Sequence, residues 1–494
     1  MNIGVQLDRE EFLYDIHSLV KSFFPDDDVS IYTDGDTAKC EAARDLLLYV
    51  HIPEIDDRKR VKDSLKRELY ETLSDYTGRT LPWGTLSGIR PTKIPMKMLE
   101  EDLPESEIRK RIQDTYLVSD QKTDLMINVA ENERRLLKGV SLGPESFSLY
   151  IHVPFCPSIC LYCTFSASPV KQWEKRMDEY LDAVEFELSC GRPMGQLPET
   201  VKRTEIVPDN NRKPVTFYVG GGTPTSLSAA QLDRLLCMAE EYYDLSGCVE
   251  RTVEAGRPDS ITTEKLEVLK KHNITRISVN PQTMNQKTLD LIGRHHTVED
   301  TKKAFKMARE AGFDNINMDI ILGLPGEEAE DVQNTLRQIE ELNPDSLTVH
   351  SLAVKRASRL TKTLREEHAA GKIADYSRYE GLTFVNSGEI IENAYKSALR
   401  MGMEPYYLYR QKNMKGGLEN TGFARPGKEC LYNILIMEEM QEIRAFGAGA
   451  STKTVSGDGR IDRIINPKDV KTYLERVAAA KVFKCPLYKD GSEC

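Results

Sequence analysis

At 494 residues the chain is too long for one hydrophobic core, and roughly 150 residues per domain suggests about three domains. Its composition, 40% hydrophobic and 29% charged, is that of an ordinary globular protein. A net charge of −11 argues against a nucleic-acid binder, which carries a basic patch, and no run approaches the roughly 20 apolar residues of a membrane span. The N-terminal stretch MNIGVQLDREEFLYD has no basic-then-apolar leader, so a cytoplasmic protein is expected. Ten cysteines in this length do not make a disulfide scaffold. Cys40, Cys190, Cys237 and Cys248 stand singly and read as small buried apolar residues.

Residues 1–145 read as a small α/β accessory domain ending in helices. The alternating stretch 45–54 suggests a strand, and 57–78 and 105–118 carry apolar residues at helical spacing between charges. The loop TLPWGTLSGIRPTK (80–93) holds one of two tryptophans. It reads either as a packed connection or as a contact surface for the next domain or for substrate. The acidic run at 26–28 reads as a solvated turn.

From 146 to 360 a strand-like run is followed by a helix-like run, repeatedly. Strands are expected at 148–155, 215–221, 250–256, 275–282, 314–324 and 346–354. Helices are expected at 173–190, 228–243, 262–272, 299–312 and 328–342. This alternation implies parallel strands covered by helices. Six units suit a partial (β/α)6 barrel better than an open doubly wound sheet, although periodicity alone does not separate them. Residues 361–494 read as a smaller C-terminal α/β domain that would cover the substrate. No heptad run indicates a coiled coil, so the oligomeric state stays open.

Parallel barrels place their chemistry at the C-terminal ends of the strands. Cys156, Gly220–Gly222, Glu254, Gln282, Asp319 and Ala353 all fall there. Within YIHVPFCPSICLYCTF (150–165), Cys156, Cys160 and Cys163 are spaced Cys-x3-Cys-x2-Cys. A structural zinc site needs a fourth ligand, commonly from a second Cys pair, and none follows. A 4Fe-4S cluster with three thiolates leaves one iron open for a small molecule. The glycines let the backbone approach a ligand closely, and Glu254 is a carboxylate that would be costly to bury without a cationic partner.

This cysteine segment after the first strand resembles the radical S-adenosylmethionine (SAM) enzymes. The resemblance implies a 4Fe-4S cluster on Cys156, Cys160 and Cys163, whose open iron binds the amino and carboxylate groups of SAM. Tyr150, Gly221 and Glu254 would hold that SAM, with Tyr150 and the three cysteines as the catalytic set and Tyr162 against the adenosyl group. A second SAM, or substrate in its place, would meet Gly222, Thr223, Gln282, Arg294, Asp319 and Ala353. YIHVPFC, GGGTPTSL, SVNPQTMNQKTLDLIGRHHT and MDIILGLPGE, in this order, resemble the oxygen-independent coproporphyrinogen III oxidase group. LPWGTLSGIRPTK and LYRQKNMKGGLEN resemble its coproporphyrinogen dehydrogenase subtype, which has an extra N-terminal domain.

The implied reaction converts two propionates of coproporphyrinogen III, or a related tetrapyrrole, to vinyls, giving protoporphyrinogen IX. A low-potential donor such as a flavodoxin or ferredoxin would supply electrons. Arg294, Arg410, Lys412 and Arg425 are candidate anchors for the substrate carboxylates. Lys453, in the run FGAGASTK, is a candidate adenosyl contact. Two positions depart from relatives: Phe165 stands where one type has a fourth cysteine, and CLYNIL (430–435) has Tyr432 in place of a histidine. The second departure weakens heme ligation through that motif, while Cys430 keeps a ligand atom. Cys485 and Cys494 read as solvated. The same scaffold also implies two rival activities, a heme chaperone and a heme-directed methyltransferase. A zinc-stabilised interaction protein is the rival outside that scaffold.

Overall fold

The computed structural model describes residues 1–25, 27–33, 45–54, 56–140, 142, 146–191, 194, 213–352, 388–410, 419–455 and 460–482. Ala353, Lys412, Cys40, Cys485 and Cys494 lie outside them. The N-terminal segment opens with three parallel strands: β1 (Asn2–Leu7) lies between β2 (Asp28–Thr33) and β3 (Leu46–Val50). Helices Leu13–Phe23 and Arg58–Thr77 lay Ile16, Leu19, Val61, Leu65 and Leu69 onto this sheet. Asp57 caps the second helix through the amides of Lys59 and Arg60, and Gly78 ends it in the left-handed region that glycine favours. Helices Lys93–Glu100, Glu105–Tyr116 and Asp120–Lys138 build a second core around Trp83 and take in Leu408 from the far end of the chain.

The main sheet has eleven strands. Strand β4 (Phe147–Val153) is followed by a two-residue ribbon, β5 (Phe155–Cys156) with β6 (Ser168–Pro169), that closes the cysteine loop. Then β4, β7 (Pro214–Gly221), β8 (Glu250–Val253), β9 (Arg276–Ser278), β10 (Ile316–Leu322) and β11 (Ser346–Ser351) pair in parallel, each beside the next. This unbroken chain order is that of a barrel; a doubly wound sheet reverses at a switch point. Phe147, Leu149, Ile151, Val153, Phe217 and Val219 face the outer helices, whereas Ser148, Tyr150, Thr216 and Tyr218 point inward.

Strand β9 is shorter than the sequence suggests. Pro281 offers no amide, and Gln282 (φ 68°) rejoins the sheet through a single bridge to Ile320.

The later strands extend the same sheet at both edges. Strand β14 (Glu442–Phe446) pairs in parallel with β4 and leads to antiparallel β15 (Ser451–Val455) and β16 (Ile461–Ile465). At the other edge, β13 (Glu419–Ala424) runs antiparallel to β11, with β12 (Glu404–Arg410) outside it. Helix Leu431–Glu438 sets Tyr432 and Ile434 into the interior against Tyr218, Tyr406 and Ile443. Among the described residues no helix is long and apolar enough to cross a membrane.

Candidate functional site

The cysteine loop lies over the C-terminal mouth of the barrel. Leu161 N–H donates to Ile292 O (2.9 Å), Ser158 Oγ to Gly293 O (2.8 Å) and Cys163 N–H to Cys160 O (3.1 Å). The first two bonds fix the loop against the turn that carries Arg294, and the third tightens the loop itself. Cys156 and Cys163 are partly exposed and Cys160 is buried. Burial pushes the Cys156 thiol up to about 11, opposed by Thr223 Oγ1 at 3.4 Å, and also raises Cys163.

Two guanidinium groups reach Cys160 Sγ from different strand ends, Arg294 Nη1 at 3.8 Å and Arg257 Nη1 at 3.9 Å. Arg257 is held by a bidentate pair with Asp259 (3.0 and 2.8 Å) and also donates to Ser158 O. Both guanidinium groups thus point donors at the Cys160 sulfur. Arg257 was not legible as a site residue. Its only signal is its place three residues after Glu254, in EAGRPDS.

The glycines at the end of β7 pack tightly. A Cβ on Gly221 (φ 113°) would sit 2.8 Å from the His152 ring, and one on Gly222 would sit 2.6 Å from Phe155 O. These two positions are glycine because the strand end is pressed against the first cysteine's own strand, as much as because a ligand must approach. Gly222 N–H and Thr223 N–H donate to Val153 O (2.8 Å) and Phe155 O (2.7 Å).

Across the mouth, Tyr218 donates its hydroxyl proton to Glu254 Oε1 at 2.6 Å. Burial lifts the Glu254 carboxyl to about 7, with Asp319 adding to the rise and the Tyr218 bond opposing it. Tyr150 bonds to His152 Nδ1 (3.1 Å), whose Nε2 lies 3.3 Å from Ser166 O. Burial lowers His152 to about 4, so the ring is neutral, with Nε2 donating and Nδ1 accepting from Tyr150. Below, Tyr432 stacks on both Tyr218 (4.4 Å) and Tyr150 (6.0 Å).

Gln282, Arg294 and Asp319 meet on the far side. Asn280 and Asn317 donate their amides to the Asp319 carboxylate (2.7 and 2.6 Å), and Gln282 N–H donates to Asp319 O (2.9 Å). Gln282 Oε1 and Arg294 Nε are buried without a hydrogen-bond partner, as are both ring nitrogens of His296. Orphaned polar atoms at a strand-end mouth fit a site built for a polar ligand. Tyr162 packs against Ile292, Ile321 and Leu324 beside Cys160.

Four expected contacts lie elsewhere. Lys453 faces Ile443, opposite Ser148 near the start of β4, with Glu439 and Arg463 as charged neighbours, so it does not reach the mouth. Arg410 lies over the Trp83 ring (5.1 Å) and donates to Leu86 O. Arg425 donates to Met401 O (3.0 Å) and pairs with Asp345, which precedes β11. Cys430 donates to Glu250 Oε1 (3.3 Å) at the start of β8, a fully buried packing role. Strand alternation and sheet polarity, which spacing does not report, send Lys453 and Arg410 away, while Arg425 follows the end of β13 and Cys430 precedes helix Leu431–Glu438.

Residues 150–339 match the family model of the Radical SAM superfamily. Fold and strand-end site together define a radical SAM protein. The oxygen-independent coproporphyrinogen-III oxidase-like protein HemZ of Bacillus subtilis (strain 168) is 40% identical over 420 residues, 85% of this chain and 79% of its own. The heme chaperone HemW of the same organism is 29% identical over 67% of this chain and 76% of its own. In the solved structures, coproporphyrinogen III oxidase (HemN) from Escherichia coli, a radical SAM enzyme, superposes with a TM-score of 0.50 at 25% identity, covering 70% of this chain and 72% of its own. The chain belongs to the oxygen-independent coproporphyrinogen-III oxidase-like family of radical SAM proteins. That family implies a 4Fe-4S cluster and SAM as cofactors.

Proposed function

We propose that the protein is a cytoplasmic oxygen-independent coproporphyrinogen III oxidase, forming protoporphyrinogen IX by oxidative decarboxylation of two propionates. The observation that carries this reading is the mouth itself. Three cysteines of one loop, with Arg294 and Arg257 at Cys160 Sγ, share it with a glycine turn and a buried carboxyl lifted to about 7. When bound, the cluster and SAM supply a 5'-deoxyadenosyl radical that takes a hydrogen atom from the propionate β-carbon, after which carbon dioxide leaves and an external acceptor takes one electron.

Cys156, Cys160 and Cys163 would hold the irons, and Arg257 and Arg294 would hold the Cys160 sulfur in place. Glu254 receives the SAM ammonium, with the Gly221 backbone beside it. Tyr150, fixed by neutral His152, closes one wall and Tyr162 the other. Gly222, Thr223, Gln282 and Asp319 line the space for substrate or a second SAM. Gln282 Oε1 offers an unused acceptor there. Residues 1–145 act as an accessory domain and residues 361–494 cover the substrate. A flavodoxin or ferredoxin is the donor.

The test is anaerobic. The reconstituted enzyme is given SAM, a low-potential reductant, an electron acceptor and coproporphyrinogen III, and products are followed by mass spectrometry. Protoporphyrinogen should form together with 5'-deoxyadenosine, and both should be lost in Cys160→Ala. The similarity to HemW supports a second reading, heme chaperoning. Stoichiometric heme binding, with the porphyrinogen mass unchanged, would replace the oxidase by that reading.

A further inference from the structure

Cys237 reads in the sequence as one more buried apolar residue, yet it is exposed. It lies on helix Ala229–Tyr242, on the outside of the barrel. Asp233 and Cys237 are four residues apart and share one helix face, and Glu240 continues that face one turn on. His272 follows the next helix, Thr263–Lys271, and its side chain is only 5% exposed. Its Nε2 lies 2.8 Å from Asp233 Oδ1 and 3.9 Å from Cys237 Sγ, while its Nδ1 lies 2.8 Å from Glu240 Oε2. Asp233, Cys237 and His272 present their donor atoms all within 4.8 Å of one another, and among the described residues no other histidine, cysteine or carboxylate group does so.

We propose that Asp233, Cys237 and His272 form a binding site for a divalent transition metal, with zinc as the ion the donors fit. One thiolate, one imidazole and one carboxylate are a ligand set that zinc accepts, with water in the fourth position. With bonds of about 2.0–2.3 Å, neighbouring ligand atoms of a tetrahedral ion stand about 3.5 Å apart. The 3.9 Å sulfur–nitrogen separation needs to close slightly, and the His272–Asp233 bond needs to open. Glu240 supplies what metal-bound histidines usually have, a carboxylate that takes the other ring N–H and fixes which nitrogen faces the ion.

A histidine clamped between two carboxylates would account for the His272 contacts but gives the Cys237 thiol no part. Lys271 and His272 both bind Asp233 through Oδ1, which leaves Oδ2 open to an ion. Metal binding releases the Cys237 proton and leaves Nε2 bare, with the ring N–H donated to Glu240. The ion would join the two helices over β7 and β8, the strands whose ends carry Gly221, Gly222 and Glu254.

The test uses the cluster-loaded protein, dialysed anaerobically against zinc alone, with iron and zinc counted by elemental analysis. One zinc per chain should be retained with the iron content unchanged. Zinc X-ray absorption should show a single sulfur neighbour at about 2.3 Å. Cys237→Ser, an exposed position that leaves the core intact, should lower zinc affinity at least about tenfold, and Glu240→Gln should lower it about tenfold. Zinc should raise the melting temperature of the wild type but not of Cys237→Ser. Failure to retain zinc overturns the site. So does equal retention by Cys237→Ser, or two or more sulfur neighbours, which would put the ion on the cluster cysteines.

Discussion

Glu254 shows how one side chain can carry both a cost and a function. Its carboxyl is held near 7 against an ordinary value of 4.5. A raised folded value means that the neutral form is favoured. The empty protein therefore keeps its full stability below about 4.5 and loses part of it as pH rises to about 7. The loss is at most about 3.5 kcal/mol, because each pKa unit is worth about 1.4 kcal/mol. Glu254→Gln should flatten that slope, so that ligand-free protein at pH 8 melts higher than the wild type. The same substitution should weaken SAM binding, and it should abolish the tightening of SAM binding expected in the wild type between pH 5.5 and 8. Glu254 was legible in the sequence because a carboxylate on an apolar strand end is unusual. Arg257 was not, because an arginine in a loop reads as solvated until the fold turns it toward Cys160.

The elements were legible wherever hydrophobic periodicity is strong. Helix Ala329–Leu342 and strand β7 fall within a residue or two of their expected bounds. Where a local signal cuts across the period, as at Pro281 in the expected fourth strand, the ladder stops early. The junction between β7 and the cysteine strand is the element-scale feature that matters most for function. Gly222→Ala would drive a methyl group toward the Phe155 carbonyl, a backbone atom that cannot rotate away. Far-ultraviolet circular dichroism should stay that of the wild type, while iron per chain after reconstitution falls at least about twofold. Gly220→Ala meets only the Glu254 and Tyr218 side chains, both at 3.0 Å, and should retain more iron.

At the scale of the whole molecule, the N-terminal segment is clasped to the barrel by charge as well as packing. Glu419 on β13 is buried, paired with Lys122 and accepting from Trp83 Nε1 at 2.8 Å. Arg90 pairs with Glu439 at 2.7 Å, and Asn132 donates to Pro405 O at 2.9 Å. Glu419→Ala would leave the Lys122 ammonium buried without a partner, at a cost of about 3–5 kcal/mol. The melting temperature should fall accordingly, and the double variant Lys122→Met with Glu419→Ala should recover part of the loss. The loop at 80–93 is thus a contact surface, because Trp83 reaches across to the last third of the chain.

The sequence by itself determined the strand–helix alternation, the cysteine triad and the set of strand-end residues, because period and spacing are properties of neighbours along the chain. The tertiary structure alone decided that the six strands pair in chain order, that Arg257 joins Arg294 at Cys160, and that Lys453, Arg410, Arg425 and Cys430 turn elsewhere. It also decided that Cys237 is exposed beside Asp233 and His272. Each of these depends on which strand lies beside which and which face points inward, and those choices are made by contacts between residues far apart in the chain.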